Sequence, residues 1–103
     1  MKSHDALRTI GEVAKIVEVP IYVIRFWEKK INLISPIKKK NGTRYYDKSQ
    51  IKLIETLKYL LYQKKYSIKG ANKQLSEEIL YVNEKQKIIK DLKKLISEIE
   101  ELL

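Results

Sequence analysis

The chain has no cysteine, which removes both a disulfide framework and a thiolate metal site. Histidine occurs once, at His4, inside a polar stretch over residues 1–8 that is expected to be a flexible tail. Glycine occurs at three scattered positions, from which no Gly-rich phosphate loop can be built. Without a thiol, an internal imidazole or such a loop, the usual materials of catalysis are missing, and no enzyme activity, cofactor or metal is expected. No apolar run is long enough to span a bilayer. Residues 1–9 are too polar for a secretory signal. The expectation is a cytoplasmic protein with no membrane partner. Acidic residues are also scarce, but only in one part. Residues 1–74 hold 17 Lys+Arg against 6 Asp+Glu, a balance of +11, while residues 75–103 hold 5 against 7. A cationic excess confined to one region is an electrostatic footprint for a polyanion, and nucleic acid fits it better than general solubility does. With 103 residues there is room for one small domain and an appendage.

What is present begins with Thr9-Ile10-Gly11-Glu12, a threonine N-cap with glutamate three residues later. Apolar residues then fall at Ile10, Val13, Ala14 and Val17, a helical spacing that predicts a short helix over 10–17. Glu18-Val19 is long enough only for a turn. Pro20 can open a second helix, because its missing N–H costs nothing there, and that helix is predicted to run to Lys29. Ile24 and Trp27 share one face, with Trp27 expected in the core; Tyr22, Arg25, Phe26 and Lys29 occupy the others. Two short helices joined by a tight turn read either as a helix-turn-helix, whose second helix enters a major groove, or as an ordinary helical corner. Pro36 closes a connector from Ile31.

Lys38-Lys39-Lys40-Asn41-Gly42-Thr43-Arg44-Tyr45-Tyr46 follows. Asn-Gly tolerates the positive φ angles of a type I′ turn, so a β-hairpin with a cationic rim is predicted. Its bland reading is a solvated edge kept soluble by lysine. Asp47 to Gln50 repeats the capping-box pattern and opens a third helix over about 48–63, with Ile51, Ile54, Leu57 and Leu61 on its apolar stripe. Tyr59 and Tyr62 are expected in the core or at its rim. Ser67 is the predicted N-cap of a fourth, short helix over 68–75, in which Gly70 costs about 1 kcal/mol relative to alanine.

From about Glu77 a last helix is predicted to the end of the chain. Ile88, Leu92, Leu95, Ile99 and Leu102 alternate steps of four and three, a heptad seam, and Ile96 widens it. One helix cannot hide such a stripe from water. It packs on a second copy, on another protein, or on the chain's own first part; the regular heptad favours a homodimer.

The order of these parts resembles the MerR family of bacterial transcription regulators. Thr9-Ile10-Gly11-Glu12-Val13-Ala14 is similar to that family's first-helix opening, Ile24-Arg25-Phe26-Trp27-Glu28 to its recognition-helix motif, and Gly42-Thr43-Arg44-Tyr45-Tyr46-Asp47 to the end of its wing. The resemblance covers about residues 8–76. It implies a mainly α fold with a small β-hairpin: a winged helix-turn-helix DNA-binding domain over 9–76, containing a second helix pair, then a coiled-coil dimerisation helix over 77–103. It implies a homodimer that binds double-stranded promoter DNA at a pseudo-palindromic site and distorts it, with RNA polymerase as a possible further partner and a nucleoid-associated location.

By the same resemblance Arg25 matches the recognition-helix arginine. Phe26 and Trp27 stand where the family has two tyrosines, with loss of a phenolic hydroxyl. Arg44 and Tyr45 match wing positions that touch DNA, and Ser67 lies where a helix N-terminus can hold a phosphate. Lys38, Lys39 and Lys40 are candidate phosphate contacts, and Tyr22 and Lys29 lie near Arg25. Arg25 either reads guanine or clamps phosphate; its bland alternative is a pair with Glu28, three residues on. Lys65 replaces a glycine that the family often carries before the second helix pair. The sequence adds no metal-binding cysteines or ligand domain after the coil, so no built-in sensor is expected. An architectural, excisionase-like DNA-bending role and a protein-interaction adaptor are the rival functions.

Overall fold

Thr9 starts the first helix as its sequence requires. In the computed structural model, which describes residues 7–103, Thr9 is the N-cap of α1 (Ile10–Val17). Its hydroxyl accepts from the Glu12 N–H at 3.3 Å, and Glu12 accepts from the Thr9 N–H at 3.1 Å, completing a capping box. The helix ends at Glu18, whose left-handed φ of 63° lets the Val19 N–H reach back to the Ala14 carbonyl at 3.0 Å. This six-to-one bond is a Schellman closure, with Pro20 beyond it to prevent continuation. Lys58 adds a charged cap, donating to the Val17 carbonyl at 2.8 Å.

The second helix, α2 (Ile21–Lys30), takes Pro20 as its N-cap, one residue outside the predicted start. Ile24 and Trp27 are buried, and Trp27 meets Tyr62 edge-on at 6.3 Å between ring centroids. The connector is pinned at both ends of its apolar pair: Ile31 and Ile34 are buried, and the Ile34 N–H donates to the Ile31 carbonyl. Gln50 holds its middle, accepting from the Ser35 N–H at 2.9 Å and donating to the Leu33 carbonyl at 3.2 Å.

The predicted hairpin is present as β2 (Ile37–Lys38) and β3 (Arg44–Tyr46), but its turn differs from the expected one. Gly42 has a φ of 82°, whereas Asn41 is not left-handed, and a type I′ turn needs both. The Gly42 N–H donates to the Lys39 carbonyl at 2.9 Å, and the Lys39 N–H donates to the Thr43 carbonyl at 3.1 Å. The loop therefore has three residues, Lys40 to Gly42, with glycine as the bulge. Asn41 braces it by accepting from the Thr43 N–H at 3.0 Å.

A strand that the sequence reading did not expect, where it placed the end of the tail and the first N-cap, completes the sheet. β1 (Arg8–Thr9) pairs antiparallel with β3, Arg8 opposite Tyr46 and Thr9 opposite Tyr45. The strand order is β1-β3-β2, and the ladder continues with Ile37 opposite Tyr45 and Lys38 opposite Arg44. Arg8 is thus a strand residue, and residues 1–6 of the expected tail lie outside the described residues.

Asp47 caps α3 (Lys48–Tyr62), accepting from the Gln50 N–H at 2.9 Å. That N–H, then the Ser49 hydroxyl, holds the Asp47 carboxyl below its ordinary range. The capping box is half formed, because the Gln50 side chain goes to the connector instead of back to Asp47. Ile54, Leu57 and Leu60 are buried. Leu60 thus replaces the predicted Leu61, because α3 turns its face toward α1 and β3. Tyr59 and Tyr62 remain near half exposed, at the rim.

The two predicted C-terminal helices are one, α4 (Ile68–Leu102). Neither Ser76 nor Glu77 breaks a helix, and a Gln74–Glu78 side-chain bond of 2.9 Å spans the expected gap. Contacts divide the chain into Met1–Asn72 and Lys73–Leu103, a boundary four residues before the expected one. The first unit holds most of the core, formed by Val13, Ala14, Val17 and Val19 with Ile24, Trp27, Ile31, Ile34, Tyr46, Ile54, Leu57, Leu60 and Ala71; Leu75 of the second unit is also buried. The second is a single helix.

Candidate nucleic-acid interface

The periodicity of α2 decides what it shows to solvent. Burial of Ile24 and Trp27 leaves Tyr22, Arg25, Phe26 and Lys29 exposed, at spacings of three, four and seven that place them on one face. Tyr22 is 73 % exposed and Phe26 48 %, large values for aromatic residues, and the Lys30 ammonium lies 5.9 Å from the Phe26 ring.

The wing supplies the facing side. Lys38 and Arg44 lie opposite each other on β2 and β3. Together with Arg25, Glu28 and Lys29 of α2 they line an open cleft of about 630 Å³. Four predicted residues, Arg25, Lys29, Lys38 and Arg44, are thus brought together. Lys39 and Lys40 are exposed at the wing tip, beside the cleft lining and not in it. Tyr45 lies on the opposite face of β3 from Arg44, because strand side chains alternate, and is half-buried. Ser67 is a helix cap: its hydroxyl accepts from the Gly70 N–H at 3.0 Å. Gly70 suits that cap, since a Cβ there would sit 3.2 Å from the Ser67 hydroxyl.

Glu28 is the cleft residue that was not predicted. It does not serve Arg25; its carboxylate meets the Arg44 Nε, at 2.9 Å through one oxygen and 3.3 Å through the other. The only sequence signal for it was its place in the recognition-helix motif, since a partner 16 positions away is invisible to helical spacing. Beneath this pair, Tyr46 is completely buried and its hydroxyl has no partner among the described residues. Burial, then the Glu28 carboxylate, pushes the Tyr46 phenol up to about 12, against a weaker pull from Arg44 and Arg25.

No three metal-ligating side chains cluster among the described residues, and no helix there is long and apolar enough to cross a membrane. In Lys73–Leu103 the predicted seam is open to solvent: Ile88, Leu92, Leu95, Ile96, Ile99 and Leu102 are each at least 50 % exposed.

Residues 8–78 match the family model for the MerR HTH family regulatory protein. No curated protein sequence matches the chain. Among solved structures, it is similar to HiNmlR, described as a MerR family regulator lacking the sensor domain and bound to promoter DNA. The TM-score is 0.61 at 21 % identity, over 95 % of this chain and 79 % of that one. It is also similar to a MerR family transcriptional regulator from Bacillus thuringiensis. There the TM-score is 0.58 at 21 % identity, over 93 % of this chain and 96 % of the other. At that identity the likeness establishes the fold.

Proposed function

The chain belongs to the MerR HTH family of DNA-binding transcriptional regulators, and from that premise we propose that it binds promoter DNA as a homodimer and distorts it. One observation carries the reading: α2 and the wing, separate in sequence, place Arg25, Lys29, Lys38 and Arg44 around one cleft. Four cations converging on an open surface suit a phosphate backbone, and an α-helix beside them suits the major groove.

In this reading α2 lies in the groove. Arg25 reaches base edges or phosphate there, flanked by Tyr22, Phe26 and Lys29. Lys38, Lys39 and Lys40 grip the backbone, Arg44 and Tyr45 set the register of the wing, and the capped N-terminus at Ser67 holds a flanking phosphate. The exposed stripe from Ile88 to Leu102 pairs with its copy in a second chain. Two such domains related by a two-fold axis require a pseudo-palindromic site. Distortion of that site is what RNA polymerase would respond to, in the cytoplasm at the nucleoid. A neighbour of the same fold, HiNmlR, is described as bound to promoter DNA, which supports the docking surface.

Duplex binding across a salt series, with footprinting of genomic fragments, tests this. The expected result is steep weakening with salt, by about 0.9 in log–log slope for each neutralised phosphate, and a symmetric footprint. Absence of any duplex complex at low salt would overturn it.

A further inference from the structure

Within the cationic cleft the single carboxylate, Glu28, is left without a task by the DNA-binding reading. A grip built only for affinity would leave it out, since an approaching polyanion meets it as repulsion. It is not a loose surface group. Its side chain is 14 % exposed, against 31 % for Arg44, and both of its oxygens lie within 3.3 Å of the Arg44 Nε. The pair joins α2 to β3 across 16 residues of sequence, so it ties the wing to the helix that faces the groove.

The geometry divides the guanidinium in two. Arginine carries five donors in a rigid fork. With Nε committed to Glu28, the edge formed by the two terminal nitrogens keeps four N–H groups and a fixed heading. A planar edge with fixed heading suits two acceptors at a set place, as in a bidentate phosphate or guanine contact. It does little for an acceptor placed elsewhere. The Glu28 charge also offsets that of Arg44, so a duplex that cannot use this edge gains little from the residue. Non-specific binding is driven by net charge, and it is the part that Glu28 suppresses.

We propose that Glu28 is a positioning residue that sets specificity: by holding Arg44 through Nε, it trades affinity for DNA in general against preference for the correct site. This rests on the DNA-binding reading of the same cleft.

The test uses the full chain and a preferred duplex selected by the wild-type protein from a random pool. Affinity for that duplex and for a random one is measured across a salt series. Glu28→Gln frees the Arg44 charge. It should bind the random duplex more tightly, with a log–log salt slope steeper by about 0.9. The preference for the selected duplex should fall by about fivefold or more. In the double variant Glu28→Gln with Arg44→Gln, the random-duplex slope should return to the wild-type value, because the gain runs through Arg44. Glu28→Asp keeps the charge but draws it back from Nε, so preference should fall with no change in slope, and this variant decides the matter should Glu28→Gln fail to fold. A merely structural Glu28 would weaken binding to both duplexes alike. Equal weakening, an unchanged preference, or a gain that persists without Arg44 would each overturn the inference alone. A wild-type chain that binds no duplex would overturn it together with the reading beneath it.

Discussion

Val13, Ile24, Ile31, Ile54 and Leu57, all within residues 7–72, are completely buried, whereas Ile88, Leu92, Leu95, Ile96, Ile99 and Leu102, all within residues 73–103, are at least half exposed. Apolar residues recur at helical spacing in both regions, so periodicity alone does not distinguish them. The difference is what the fold supplies. In the first region α1, α3 and β3 pack on one another and close over their apolar faces. In the second, a single helix has no other element of its own to pack against. Full burial of a Leu or Ile side chain stabilises by about 1.5–3 kcal/mol. The core residues of the first region have realised that gain; in the second Leu75 has, and the stripe from Ile88 to Leu102 has not. Charge follows the same division, with the cationic excess on the closed region and a slight acidic excess on the open one. In the proposed reading, DNA binding falls to the closed region and assembly to the open one.

The sharpest way to break this comparison is to cut it. A chain ending at Glu84 keeps the closed region and loses the seam. It should sediment as a monomer and keep its thermal transition. Its affinity for a two-fold site should fall by about 10²–10⁴-fold, because the second domain no longer binds intramolecularly. A truncated chain that stays dimeric would remove the seam from the assembly. Single substitutions probe the same contrast less severely. Leu57→Ala leaves a cavity in the closed region and should cost about 2–5 kcal/mol in urea denaturation at any protein concentration. Leu95→Ala should instead leave that transition in place and raise the concentration at which dimers form. Equal effects of the two would erase the distinction.

Alkaline pH tests how closed the first region is. The native state keeps the Tyr46 phenol neutral to about 12, against 10.0 for an ordinary tyrosine. Below pH 10 both states carry the proton and its contribution to stability is complete. As pH rises from 10 to 12 the unfolded chain ionises first, and about 2–3 kcal/mol of stability is lost. Tyr46→Phe should abolish that loss. It also removes a buried hydroxyl that has no partner among the described residues, so its stability at neutral pH should be no lower than that of the wild type. Tyr81→Phe, at an exposed position of the open region, is the control. A smaller change is expected at the cleft. Arg25→Ala should cost about 1–3 kcal/mol of discrimination between DNA sites while leaving sedimentation unchanged. Unchanged site preference would remove Arg25 from the reading of DNA.

Local chemistry made much of this legible. Thr9 with Glu12, Asp47 before α3 and the exposed face of α2 follow from neighbours within four positions, which a sequence displays directly. What escaped depends on distant partners. Arg8 and Thr9 form a strand because β3 offers them an edge, not because two residues carry a strand pattern. Asn-Gly announced a hairpin, but the loop gained a third residue because the ladder closes at Lys38 opposite Arg44. Gln50 left its expected partner because the connector carries an unpaired N–H and carbonyl within reach. At the cleft, Arg25 and the wing cations were visible as residue types. The Glu28–Arg44 pair, which ties them together, is purely tertiary.

Backbone strain sharpens the comparison at its finest scale. Among the described residues, Glu18 (φ 63°) and Lys65 (φ 59°) are the non-glycine residues in the left-handed region; Glu18 caps α1 and Lys65 lies in the link after α3, both in the closed region. Such a residue costs about 1–2 kcal/mol and persists only where packing over-determines it. Lys65 lies in the link between α3 and α4, where the Tyr66 N–H donates to the Leu60 carbonyl at 2.9 Å. The sequence departs there from the glycine that the family often carries. Lys65→Gly relieves the clash at Cβ but adds about 0.4–1 kcal/mol of unfolded-state entropy. The net expectation is a gain of about 0.5 kcal/mol in urea denaturation. Lys65→Ala keeps the Cβ and should gain nothing. A gain for alanine equal to that for glycine would mean that the lysine side chain, and not the left-handed backbone, is what this corner tolerates at a cost.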